Sequence, residues 1–96
     1  MFLSVYHFDG DSETLVEAYG RMAASFPPNA FDLHLCVRRD GGISVFDGCP
    51  SREIAEAFSN GEGFRGAIAA AGLPEPRTER IGDIELAIVR GERVLS

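Results

Sequence analysis

The chain has 96 residues, 45% of them hydrophobic and 25% charged, with a formal net charge of −6. That length holds one domain, residues 1–96, near the lower limit for building a core alone. The acidic balance argues against nucleic acid or an anionic membrane as partner, because both select basic surfaces.

Residues 2–8 (FLSVYHF) alternate with the two-residue period of a strand and close at Asp9-Gly10. This strand pattern begins at once, with no charged n-region, and no apolar run approaches the roughly 20 residues of a spanning helix. Asp11 or Ser12 is placed to cap a helix through Phe26, with Leu15, Tyr19, Met22 and Phe26 on one stripe. Pro27-Pro28 stops it. Residues 31–38 (FDLHLCVR) alternate again, Arg39-Asp40-Gly41-Gly42 reads as a hairpin turn, and residues 43–47 (ISVFD) form a third strand. Gly48-Cys49-Pro50 breaks the chain before Ser51, a good N-cap.

The second helical block is divided. Residues 52–59 and 64–71 carry helical patterns around an Asn60-Gly61-Glu62-Gly63 interruption, and Gly72 followed by Pro74 ends the block. Residues 84–89 (IELAIV) complete the series as a fourth strand. The order βαββαβ predicts an α+β, ferredoxin-like domain: a four-stranded antiparallel sheet with both helices on one face.

Side-chain alternation predicts two unlike sheet faces. Leu3, Val5, Leu33, Leu35, Val37, Ile43, Val45, Ile84, Leu86 and Ile88 make an aliphatic face expected against the helices. His7 falls in phase with them, near a strand end. Ser4, Tyr6, Phe8, Asp32, His34, Cys36, Arg38, Ser44, Phe46, Glu85, Ala87 and Val89 make a mixed face. That face is too aromatic for open water and too polar for a dry core, so a second sheet is expected to close over it around a cavity.

The element order, the divided second helical block, and the run from Gly42 to Ser51-Arg52-Glu53 with Phe58, Phe64 and Gly72-Leu73-Pro74 carry a family likeness. In these the chain resembles the dimeric α/β-barrel superfamily, and within it the antibiotic-biosynthesis-monooxygenase-like (ABM) group. The resemblance implies a homodimer whose two sheets form a barrel, and it brings cofactor-free oxygenases and haem-degrading enzymes into consideration. The haem enzymes are known for an Asn on the first strand and a Trp and His in the second helical block. Those last two places fall near Phe58 and Ile68, the first strand has no Asn, and the chain has no Trp. No haem, other organic cofactor or metal is therefore expected.

Tyr6, His34, Cys36 and Phe46 are the expected lining of a pocket for a small apolar or aromatic molecule. His34, whose ordinary pKa lies near neutrality, is the candidate base, and Tyr6 is its candidate companion. Glu85 is expected as a solvated edge charge and Cys36 as a small buried hydrophobe. Cys36 and Cys49 form no C-x-x-C, as in a reduced cytoplasmic protein, although Cys49 precedes a helix N-terminus. Gly61-Glu62-Gly63-Phe64-Arg65-Gly66 matches G-x-G-x-x-G in letters but follows a helix rather than a strand, so it is read as a kink. Three readings stand: a ligand-binding homodimer, a cofactor-free monooxygenase or related enzyme, and a dimerisation module without ligand.

Overall fold

The computed structural model describes residues 1–95. Strand β1 is Phe2–Asp9, followed by helix α1, Ser12–Ala24. Asp11 caps α1, its carboxylate accepting from the Thr14 amide at 3.0 Å and the Thr14 hydroxyl at 2.7 Å. A 3₁₀ turn at Pro28–Ala30 leads to β2, Leu33–Arg39, which turns into β3, Gly42–Cys49. Helices α2, Arg52–Asn60, and α3, Glu62–Ala71, divide at Gly61. Ser51 caps α2 by accepting from the Ile54 amide. Gly72, at φ 79°, closes α3 in a Schellman motif, with Leu73 N donating to Ile68 O and Gly72 N to Ala69 O.

Strand β4, Arg77–Asp83, completes an antiparallel sheet in the order β2-β3-β1-β4. This small α+β fold, one four-stranded sheet and three helices, is compatible with a ferredoxin-like arrangement. The fourth strand is not where the hydrophobic pattern puts it. The sheet uses the charged segment Arg77–Asp83, while residues 84–86 form a link containing the exposed Glu85. Ala87–Val89 (β5) pairs instead with Glu92–Leu95 (β6) across an Arg90-Gly91 turn at φ 53° and 82°. Leu86 and Ile88, expected against the helices, are more than half exposed.

The register also corrects the two faces. The β2–β3 hairpin has a two-residue Asp40-Gly41 loop, so Arg39 pairs with Gly42, Cys36 with Val45 and Leu35 with Phe46. In the centre Tyr6 pairs with Val45 and Phe8 with Ile43. Directly paired residues share a face. Tyr6 and Phe8 therefore lie with Ile43 and Val45 beneath the helices, in a core completed by Leu15, Ala18, Tyr19, Met22, Ile68 and Leu73. The opposite, open face carries Leu3, Val5, Leu33, Leu35, Val37 and Phe46 in one apolar stripe. His7 lies on this open face, bonded to Ser44 Oγ at 2.8 Å and Glu79 Oε1 at 2.6 Å.

Candidate functional site

On the helix-covered face the register sets one polar row across all four strands. His34 of β2 pairs with Asp47 of β3, Asp47 with Ser4 of β1, and Ser4 with Arg80 of β4. Beneath the helices such groups must find partners, because an unpaired buried polar atom is costly. They do: among the described residues no buried side-chain nitrogen or oxygen lacks a hydrogen bond.

Part of this row forms the polar corner of a pocket of about 320 Å³ between the sheet and the helices of a single chain. Tyr6, Phe8 and Val45 of the sheet, Tyr19, Met22 and Phe26 of α1, and Phe64 of α3 supply apolar wall. Phe26, Ile54 and Phe58 stand between 40% and 49% exposed at its rim. Ile54 and Phe58 project from α2, where Ala55 alone is buried, so the apolar stripe of that helix serves the pocket more than the core.

His34 sits between two rings, with the Phe31 centroid 4.2 Å away and Tyr19 nearly parallel at 5.8 Å. Its Nδ1 lies 3.3 Å from Asp47 Oδ1 and its Nε2 2.6 Å from the Tyr19 hydroxyl. A carboxylate can only accept, which assigns the hydrogen to Nδ1 and leaves Nε2 to accept from the Tyr19 O–H. The second Asp47 oxygen accepts from the Cys49 thiol at 3.2 Å. The result is a chain, Tyr19–His34–Asp47–Cys49, in which the Nε2 lone pair of the histidine is oriented onto the Tyr19 hydroxyl at the pocket wall. A ligand hydroxyl that displaced Tyr19 from Nε2 would meet a hydrogen-bond acceptor whose tautomer is already fixed.

Burial pushes the Tyr19 phenol well above its usual range, and it raises Tyr6 despite the opposing Arg80 hydrogen bond and charge. Cys49 is pushed up to about 11, by burial first and then by its hydrogen bond to Asp47. The thiol before the helix is thus held protonated. Groups with raised folded pKa values contribute stability that is complete below their unfolded values and lost as pH rises through the folded ones. The melting temperature should accordingly fall as pH rises from the ordinary thiol value of 9.0 toward about 11. A Cys49→Ala variant should lose part of that slope, and an unchanged slope would contradict the raised Cys49 pKa.

Two of the four residues expected to line a pocket, Tyr6 and His34, line this one. They do not bond each other: Tyr6 accepts from Arg80 Nη1 at 3.3 Å, and the hydroxyl partner of His34 is Tyr19. Phe46 lies on the opposite face of the sheet, because it pairs with Val5 and Leu35. Cys36 shares the face of His34 but lies exposed on edge strand β2, outside the pocket wall, and is not a buried hydrophobe. Tyr19, Asp47 and Cys49 were not distinguished in the sequence as partners of His34. Tyr19 reads as part of the apolar stripe of α1, and Asp47 shares the face of His34 through the pairing register that the Asp40-Gly41 turn sets.

Among the described residues no group of three or more His, Cys, Asp or Glu side chains could hold a metal, and no helix is long and apolar enough to cross a membrane. Comparison of the chain with protein-family models, curated proteins and solved structures finds no match in any of the three.

Proposed function

We propose that the protein is a ligand-binding homodimer whose pocket takes a small apolar or aromatic molecule carrying a hydroxyl donor. The observation that carries this reading is the placement of the oriented His34 Nε2 at the one polar corner of an otherwise aromatic, aliphatic pocket. Such a pocket, apolar with few convergent polar groups, is the usual form of a small-molecule site. A module that only dimerised would have no use for this interior space.

The homodimer rests on the other side of the sheet. Leu35 and Val37 are 52% and 43% exposed within the open apolar stripe. The β5–β6 hairpin, which makes hardly any contact with the other elements, exposes Ile88, Val89 and Val94 to a similar degree. Exposed apolar residues of this number on so small a chain mark an association site. Two copies packing open face to open face would close the dimeric barrel that the ABM resemblance implies. Leu35→Asp, which removes no core contact, should convert a dimer seen by light scattering into a monomer of similar melting temperature. A wild-type chain that is monomeric at tens of micromolar would overturn the dimer.

An enzymatic reading is favoured by the same His34–Asp47 pair. In it the ligand is a phenol, His34 accepts its proton, and the electron-rich ring reacts with O₂ without a cofactor, as in a monooxygenase of the ABM type: one oxygen atom enters the ring as the second carbonyl of a quinone and the other leaves as water. Thermal shift tests the binding claim common to both readings. A ligand at about 100 times its Kd adds about 2.7 kcal/mol to the native state. That corresponds to a rise of roughly 10–20 °C for a domain of this size. A panel of phenols, naphthols and polyketide-like compounds should include one that stabilises the wild type and not His34→Ala. A panel in which every compound acts equally on both proteins would overturn the site. Oxidation of the bound phenol in air, absent in His34→Ala, would decide for the enzyme.

A further inference from the structure

At the β4 end of the polar row, Arg80 is held unlike the other paired arginines. Arg39, Arg52 and Arg77 each meet a carboxylate, of Asp9, Glu56 and Asp9 respectively. Arg80 meets only hydroxyls: its Nη1 donates to Ser4 Oγ at 2.8 Å and to Tyr6 Oη at 3.3 Å, and its Nη2 donates to Ser59 Oγ. No ion pair among the described residues includes it. Neutral acceptors fix the position of a guanidinium without cancelling its charge.

A guanidinium has five N–H donors, and these three bonds leave Nε–H and one Nη2–H unused. Arg80 Nε has no partner and no described buried side-chain nitrogen is left without one, so Nε–H is open to solvent, with the spare Nη2–H beside it on the same planar group. Arg80 lines a groove of about 530 Å³ between β4 and the α2–α3 pair. Arg65 lines the same groove, as do Ser59, Asn60 and Thr78, and Glu75 is the one carboxylate among the lining residues.

We propose that this groove is an anion-binding site for a small molecule bearing a phosphate or carboxylate group, gripped by the two free N–H groups of Arg80 with Arg65 adding positive charge. The pair of donors on one rigid, half-buried guanidinium matches the geometry by which arginine recognises both oxyanions. The site is separate from the His34 corner and does not depend on what the aromatic pocket binds.

The test is an NMR titration of the 96-residue chain with inorganic phosphate and, in parallel, acetate. Saturable amide shifts are expected at residues 59–65 and 78–81. Whichever anion saturates at lower concentration identifies the group recognised. Arg80→Met should abolish the shifts. Because that change also removes a tie between β4, β1 and α2, a second variant keeps the arginine: Thr78→Asp places a carboxylate two residues away on the same face of β4. It should weaken binding by about tenfold or more, the worth of a charge-assisted contact. Arg38→Ala, on the far edge strand, should leave both titrations unchanged. Shifts that never saturate for either anion, or equal affinity in wild type and Thr78→Asp, would overturn the proposal and leave Arg80 as a structural tie.

Discussion

Gly42→Ala should leave little or no folded protein. A Cβ at this position would overlap the carbonyl oxygen of Phe8 and come within 3.2 Å of Asp9 Cα, both backbone atoms of the neighbouring strand. Gly42 opens β3, is buried, and pairs with Asp9 on one side and Arg39 on the other. The strand is therefore held from both edges and cannot withdraw without breaking pairs on each. Its φ of 157° adds strain for any L side chain. A loss of about 4 kcal/mol or more is expected, a large share of what a domain of this size has. Gly66→Ala provides the contrast, since nothing lies within 4 Å of a Cβ there and the residue is in the interior of α3. It should stabilise the protein by about 0.5–1 kcal/mol in the same denaturant titration. A folded Gly42→Ala protein with an unchanged midpoint would contradict the β1–β3 register.

Asp47→Ala should damage stability and site together. Asp47 is 8% exposed and accepts from both His34 Nδ1 and Cys49 Sγ. Alanine leaves both donors without an acceptor, at a cost of about 2 kcal/mol, which lowers the melting temperature by roughly 8–16 °C. It also frees the His34 tautomer, so Nε2 is no longer fixed as the acceptor. The Cys49 pKa should fall from about 11 toward 9.0 while burial holds part of the rise, since Asp47 supplies the second- and third-largest causes of that rise. Iodoacetamide should then alkylate Cys49 faster at pH 8 to 9 than in the wild type. Asp47→Asn separates the effects. Its carbonyl still accepts from His34 while its amide faces the sulfur, so the thiol should become more reactive with less loss of stability. Unchanged alkylation in both variants would contradict the Asp47–Cys49 bond.

How far the sequence reveals this molecule depends on where local chemistry is strong. The caps at Asp11 and Ser51, the stop at Gly72 and the Gly61 division of the second helical block are all local events, and each is legible from the residues concerned. The face assignment fails on one turn. Grouping by hydrophobicity alone puts Val37 on the face of Val45, a placement no even-length loop allows; the two-residue Asp40-Gly41 loop pairs Cys36 with Val45 and reverses the parity of β3. Asp-Gly is itself the signal for such a loop, so this part was legible.

Strand β4 is less so, because RTERIGD has neither alternation nor β-branched density, and its place at the sheet edge asks little of its side chains. The apolar run at 84–89 drew the assignment for a different reason: its hydrophobicity serves a surface and not the core of this chain. His34 stands out as a histidine mid-strand. Its chemistry does not, because the partners that define it come from a helix and a neighbouring strand, at sequence separations of 15 and 13.

The central claim is that a hydroxyl-bearing aromatic binds between sheet and helices at His34, and not between two sheets. The most direct measurement is an NMR titration of the wild-type chain with 1-naphthol, read at the aromatic and methyl signals of both faces of the sheet. The expected result is saturable shifts at His34, Tyr19, Phe31 and Phe64, with intermolecular contacts from naphthol to those rings and none to Leu35, Val37 or Phe46. Contacts confined to Leu35, Val37 and Phe46, or no saturable shift on either face, would contradict the account.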